Sequence, residues 1–361
     1  PTVSVVDLAV AGDDLVVGTL GRSAWILDDL TPVREMSKEF EAATEYLFEP
    51  LPAVRWRYAG SAYGSTDGAG ENPPKGASIT YHLADKPEGE ITLEVLDAEG
   101  QVIRRLSSEL REQYDSPDHP DWNPDSKPKP ELKAEAGLNR ASWDLTYGEP
   151  KWMPNARFDT GTPQPGPLVV PGDYTLRLTV GVRSITQPMT VELDPRSSAS
   201  ESDLEQQLDF ALGVRGQLAR IADMVLTIRG IREQVKDRSA RLAENPVASE
   251  LVEFGTKLVT DLNAVEEEIH NPHAEVDYDV LAGRHGGAKM YSRLSWLFNT
   301  SADHDGPPTQ GMREVAADIE RELAQQESVL DGIVINDLVR INELASELAV
   351  PYVVTPEQVK R

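Results

Sequence analysis

Val3 to Asp29 reads VSVVDLAVAGDDLVVGTLGRSAWILDD, and this stretch decides the start of the fold. Three short apolar runs, Val5–Val10, Leu15–Leu20 and Ala24–Leu27, are parted by Gly12-Asp13-Asp14 and Gly21-Arg22-Ser23. Glycine and aspartate at that spacing are hairpin turns, so the spacing predicts a three-stranded antiparallel meander. The strands are nearly continuous in apolar residues, the pattern of a sheet covered on both faces. Three strands cannot cover both of their own faces and are marginal alone. The pattern has no second copy in the chain, so the meander is expected to need more sheet from elsewhere.

Beyond it, from Ser78, strands are expected at Ile79–Ala84, Ile91–Leu96, Val102–Leu106, Leu138–Tyr147, Gly172–Val180 and Ser184–Leu193. Short strands with Gly/Pro turns between them indicate an immunoglobulin- or fibronectin-like sandwich, in which Trp143 is expected to anchor the core. Two long loops interrupt it, Ser107 to Glu135 and Gly148 to Val170. The first contains DSPDHPDWNPDSKPKP, and the second has Trp152 and five prolines. Asp115, Asp118, Asp121 and Asp125 offer oxygen ligands of the kind Ca²⁺ takes. Their spacing matches no defined calcium loop, and a solvated proline-rich loop is the plainer reading. Trp122 and Trp152 suit stacking on a sugar ring if exposed on one edge, or pinning the loops to the sheet.

The last 160 or so residues are helical in pattern. Ser202-Asp203-Leu204-Glu205 reads as a capping box. After it, Leu204, Leu208, Ala211, Leu212, Leu218, Ile221, Val225, Ile228 and Val235 keep helical period. Further helices are expected at Val247–Ile269, Lys289–Phe298, from after Pro308 to about Leu330, and from Ile333 to Ala349, giving a bundle or long hairpin. The fold class is therefore multidomain, β then α. The expected domains are residues 1–45 (blade and linker), 46–198 (sandwich) and 199–361 (helical).

The meander also carries a resemblance. Gly18, Thr19, Gly21, Arg22, Trp25, Ile26, Leu27, Asp28, Asp29, Thr31 and Pro32 match a stretch that resembles the last propeller blade of bacterial proteins labelled "glycosyl hydrolase, BNR repeat" or "sortilin N-terminal domain-containing". The likeness continues through AGLNRASWDLTY, VVPGDYTLRLTV and RLSWLFNTSADHDGPPTQG, and so covers most of the chain. The Pro171-Gly172-Asp173-Tyr174 strand start is also similar to that of flagellar hook-cap-type immunoglobulin domains. The resemblance implies the C-terminal region of a β-propeller protein, with the other blades upstream or on another chain. The Asp-boxes of such propellers are absent here.

Composition bounds the function. The chain has 361 residues, with 61 acidic and 35 basic side chains, and a formal net charge of −26. That excludes nucleic acid as a partner, since phosphate binding needs clustered Lys and Arg, and it disfavours anionic membrane surfaces. The densest basic stretch, Arg229 to Arg241, is interleaved with Glu233 and Asp237. There is no cysteine, hence no disulfide, thiolate metal site or cysteine nucleophile. No apolar run approaches the roughly 18 residues of a membrane span. Beginning at Pro1 without methionine or signal peptide, the chain reads as a piece of a longer protein.

Candidate chemistry is sparse. His270-Asn271-Pro272-His273 with Glu275, Asp277 and Asp279 is a local cluster of imidazole and carboxylate, donors that Zn²⁺ accepts. His270, however, ends a helix, where it is favourable in its own right, and Pro272 keeps the rings off one helical face. His285 is expected in a Gly-rich loop and His304 in a polar connection. No nucleophile elbow, dinucleotide fingerprint or P-loop is present. Glycoside hydrolysis needs two flanking carboxyls, and on the blade only Asp28 and Asp29 qualify, where turn chemistry fits them better.

The expected function is a non-enzymatic accessory or scaffold region, secreted or periplasmic, supporting the binding of a protein, peptide or glycan, with a β-propeller or an oligomeric partner and no cofactor beyond a candidate Ca²⁺. The alternative is the scaffold of a hydrolase whose catalytic residues lie on the propeller.

Overall fold

The computed structural model describes residues 3–37, 40, 42–57, 75–110, 129–157 and 165–356, with the side chain of Asp277 excepted. These residues divide into two compact units. One, mainly β, comprises the described residues before Glu149 together with Pro167–Glu201; the other comprises the described residues from Glu149 up to Gly166 and the helical region from Ser202.

The β unit begins with strands β1 (Val5–Ala11), β2 (Asp14–Thr19) and β3 (Ala24–Leu27), paired antiparallel in that order. Gly12 and Gly21 take positive φ at the two turns, as hairpin geometry requires. Val6 is the extra residue where the β1–β2 register shifts between Val5 and Asp7. A short helix, α1 (Thr31–Arg34), follows with Pro32 in its first turn.

Two further sheets share one hydrophobic core. Strands β4 (Glu45–Leu47), β6 (Ala77–Leu83) and β9 (Gly137–Trp143) form the smaller, in the order β4-β6-β9. The larger comprises β5 (Ala53–Arg55), β7 (Ile91–Leu96), β8 (Val102–Ser107), β10 (Gly172–Val180) and β11 (Arg183–Leu193), in the order β5-β11-β10-β7-β8. All pairings are antiparallel except β5 with β11. Side chains alternate in and out along β7 and β9, the period of a strand covered on one face. Pro188 lies in β11, but β5 reaches only Val191–Leu193, so the proline sits where β11 is paired on one side alone.

Trp143 is fully buried at the end of β9, its ring edge-on to Tyr174 at 5.5 Å and its Nε1–H donating to Thr146 O at 2.9 Å. The sequence pattern carries this strand on to Tyr147; the structure ends it at Trp143. Asp144 Oδ1 there accepts from the Thr146 hydroxyl at 2.7 Å and Leu145 takes φ 60°, which turns the chain out of the sheet. The three-residue strands β4 and β5 escape the sequence pattern. Each is too short to show a period, and Pro50 and Pro52 part them.

In the helical unit, α2 (Glu201–Leu242) is 42 residues long, about 63 Å at the α-helical rise. It starts one residue before the expected cap, so Ser202 lies within the first turn. Its buried stripe follows the expected period, with Val214 fully packed and Leu212 only half-buried. A 3₁₀ turn at Pro246–Ala248, capped by the Asn245 side chain, leads into α3 (Ser249–Ile269). Then come α4 (Asp277–Leu281), α5 (Met290–Ser301) and α6 (Gln310–Gly332), the last capped by the Thr309 hydroxyl on Met312 N. The break expected between Leu330 and Ile333 is absent. Gly332 is helical, and a π-helical turn, Ile333–Asp337, carries α6 directly into α7 (Leu338–Glu347).

One segment departs from the expected division at residue 199. In the loop placed with the sandwich by sequence, Met153 and Ala156 are buried in the helical core beside the stripe of α2. Arg229 of α2 donates to Pro154 O at 2.6 Å, fixing the segment there. A lone methionine and alanine among prolines have no period from which to read this.

Candidate functional site: an apolar sheet and a buried carboxylate

Cross-strand partners share a face of a sheet, so the registers sort the side chains of β1–β3. Leu8 opposes Val17, which opposes Trp25; Val10 opposes Leu15, which opposes Leu27. These six bulky apolar side chains make one face. Ala9, Val16 and Ile26 line up on the other, beside Gly18 and Ala24. Both faces are open. Leu8 is 58% exposed, Val10 63% and Ile26 61%. Contiguous exposed apolar faces of this kind are uncommon on monomeric soluble proteins. The indole Nε1–H of Trp25 donates to Arg22 O at 3.0 Å, so the ring is oriented by its own turn.

Polar groups hold the sheet's turns. Leu30 N donates to Asp13 O at 2.7 Å, Asp29 N to Asp14 Oδ1 at 3.0 Å, and Arg34 ion-pairs with Asp13. Arg140 of β9 donates to Asp28 O at 2.9 Å. Asp29, at φ 62°, accepts from Thr31 N at 2.9 Å. That is turn chemistry, as the residue types suggested.

Asp115, Asp118, Asp121, Asp125 and Trp122 lie outside the described residues. Trp152 is half-buried and precedes Met153, which packs in the helical core. Among the described residues no group of three or more His, Asp or Glu could hold a metal ion, and no helix is long and apolar enough to cross a membrane.

The histidine cluster is taken apart by the fold. His270 follows α3 and is 2% exposed, its ring edge-on to Tyr291 at 6.5 Å and its Nε2 without a hydrogen-bond partner. Burial, with the charge of Arg229, pushes its pKa down to about 4, against a smaller upward pull from Glu266. The ring is therefore neutral at pH 7. His273 is exposed and pairs with Glu267 at 3.1 Å. Asp279 accepts from Glu275 N, Val276 N and Arg284, which together hold its carboxyl below the usual range despite burial. The Asp277 side chain lies outside the described residues. His285 sits at φ 52° in a turn, and His304 offers its carbonyl to Gln207.

What the sequence reading missed is Glu266. It is fully buried on α3 and takes Arg229 Nε on one oxygen at 2.8 Å and Arg232 Nη1 on the other. Arg232 Nη1 also donates to Asn263 Oδ1 at 2.9 Å. The signal was present: Glu266 falls on the apolar stripe of Leu258, Leu262, Val265 and Ile269, and a carboxylate there needs cations brought to it.

Compared with protein-family models and with curated proteins, the chain matches none.

Proposed function

We propose that this chain is a non-enzymatic accessory region of an extracytoplasmic, sortilin-like β-propeller protein. On this reading β1–β3 is a propeller blade that packs against blades of the same precursor or another chain. The two sheets of the β unit form an immunoglobulin-like sandwich, and with the helices they support binding of a protein, peptide or glycan. The observation that carries the reading is the apolar character and exposure of both faces of β1–β3. A sheet between two neighbouring sheets needs just those two faces, and a globular protein seldom leaves them to water. The turn roles of Asp28 and Asp29 support a non-catalytic blade.

Hydrogen exchange on the chain alone tests this. Leu15–Leu27 should exchange rapidly, while β10 and the middle of α2 stay protected. Adding the polypeptide that carries the remaining blades should protect Leu15–Leu27, and Leu8→Asp should abolish that gain. Strong protection of Leu15–Leu27 in the isolated monomer would overturn the proposal.

A further inference from the structure

The two arginines that neutralise Glu266 have donors to spare. Arg229 uses Nε on Glu266 and Nη1 on Pro154 O; Arg232 uses Nη1 on Glu266 and Asn263. Arg229 Nη2 and Arg232 Nε and Nη2 have no partner among the described residues. Both arginines line a cavity of about 460 Å³ together with Asn155, Arg157, Pro272 and Ala274. Arg157 is exposed and makes no hydrogen bond or ion pair with a described residue. Three guanidinium charges therefore meet one carboxylate, an excess of two positive charges in a chain whose net charge is −26. A second cavity of about 460 Å³ shares Arg229 and Arg232 and adds Lys236, Glu233 and Asp237. There Asp237 is already engaged by Arg241 at 3.0 Å.

Beside this cavity His270 is held neutral by burial first, with the Arg229 charge adding to that effect and Glu266 opposing it. The rest of the lining is polar or small, which suits a charged group and not an apolar body.

We propose that this cavity is a binding site for a small ligand bearing an oxyanion, a phosphate or sulfate group or a carboxylate, held by Arg157 and the free edges of Arg229 and Arg232. Guanidinium forks match such oxygens in pairs, and Glu266 serves as the fixed support that orders two of them. Among the described residues Arg157 has no partner to lose, so it completes the site only when the anion is present.

Calorimetry on the full chain with sodium phosphate, sodium sulfate and sodium acetate, each at millimolar concentration and constant ionic strength, tests it. One-to-one binding of at least one of the three is expected. Heat from phosphate or sulfate alone identifies a tetrahedral oxyanion as the ligand, and heat from acetate a carboxylate. Arg157→Ala should weaken binding about tenfold while leaving the far-ultraviolet circular dichroism and Tm of the free chain unchanged. Arg232→Lys, which keeps the charge and loses the fork, should weaken it too. Absence of heat with all three anions, or unaltered affinity in Arg157→Ala, would overturn the proposal.

Discussion

His270 shows how the environment of a single residue is set by partners distant in sequence. Beside His273, Glu275 and Asp279 it resembles a ligand; in the fold it is a neutral ring against Tyr291 with a cation nearby. Its pH dependence has a definite sign. In the unfolded chain the imidazole titrates near 6.5, whereas in the folded protein it does so at about 4. Between those values the unfolded chain holds a proton that the folded one refuses, so stability falls as pH drops from 6.5 to 4 and is fully present above. The gap corresponds to on the order of 3 kcal/mol. Urea denaturation at pH 7 and pH 4 should show a steeper loss for the parent than for His270→Phe, which keeps a ring and cannot titrate. Equal losses would remove His270 from the account. Trp143 is the opposite case at this scale. A large aromatic within an alternating strand reads as core from sequence, and it is core, because bulk and period point the same way.

Elements were legible where a period runs long enough to establish a face. The strands β7, β10 and β11 and the helices α2, α3 and α6 repeat their apolar positions over several turns or alternations, and there sequence and structure agree closely. The two three-residue strands, the packing of Met153 and Ala156, and the π-helical turn at Ile333–Asp337 carry no period. Each is fixed by partners distant in sequence, which outweigh local preference. Gly76 makes the dependence on such partners testable. It lies immediately before β6, at φ 83°, and a Cβ there would come within 1.9 Å of Trp143 O across the β6–β9 pair. The obstacle is backbone and cannot rotate away, and the left-handed φ adds strain of its own. Gly76→Ala should therefore destabilise the β unit by about 3 kcal/mol or more, read as a fall in the urea midpoint of a β-sheet signal. The Gly181→Ala variant shares a positive φ but has open space around its Cβ, so it should cost about 1 kcal/mol. A similar loss in both variants would mean that backbone conformation, and not the contact with Trp143, sets the cost.

For the whole molecule the controlling quantity is charge. Ion pairs are numerous on the described surface, for example Arg220 with Glu320 and Glu327, Arg293 with Glu322, and Lys257 with Asp261. Exposed pairs each contribute only about 0–1 kcal/mol and salt weakens them. Against them stands the mutual repulsion of an excess of 26 negative charges, which acts over the whole surface and is screened by the same salt. The two effects have opposite signs, and the number of unpaired acids decides between them. With 61 acidic side chains and 35 basic ones, most of the excess has no cation to lose. Raising sodium chloride from about 0.01 M to about 0.15 M shortens the screening length from about 30 Å to about 8 Å, which removes repulsion between surfaces before it reaches contact pairs. Tm should therefore rise by a few degrees over that range, and potassium chloride should match sodium chloride because screening depends on ionic strength and not on the cation. A Tm that falls with salt would show that the paired charges, led by the partly buried Arg220 clasp, outweigh the net charge. A rise with sodium alone would point to a specific cation site in place of screening.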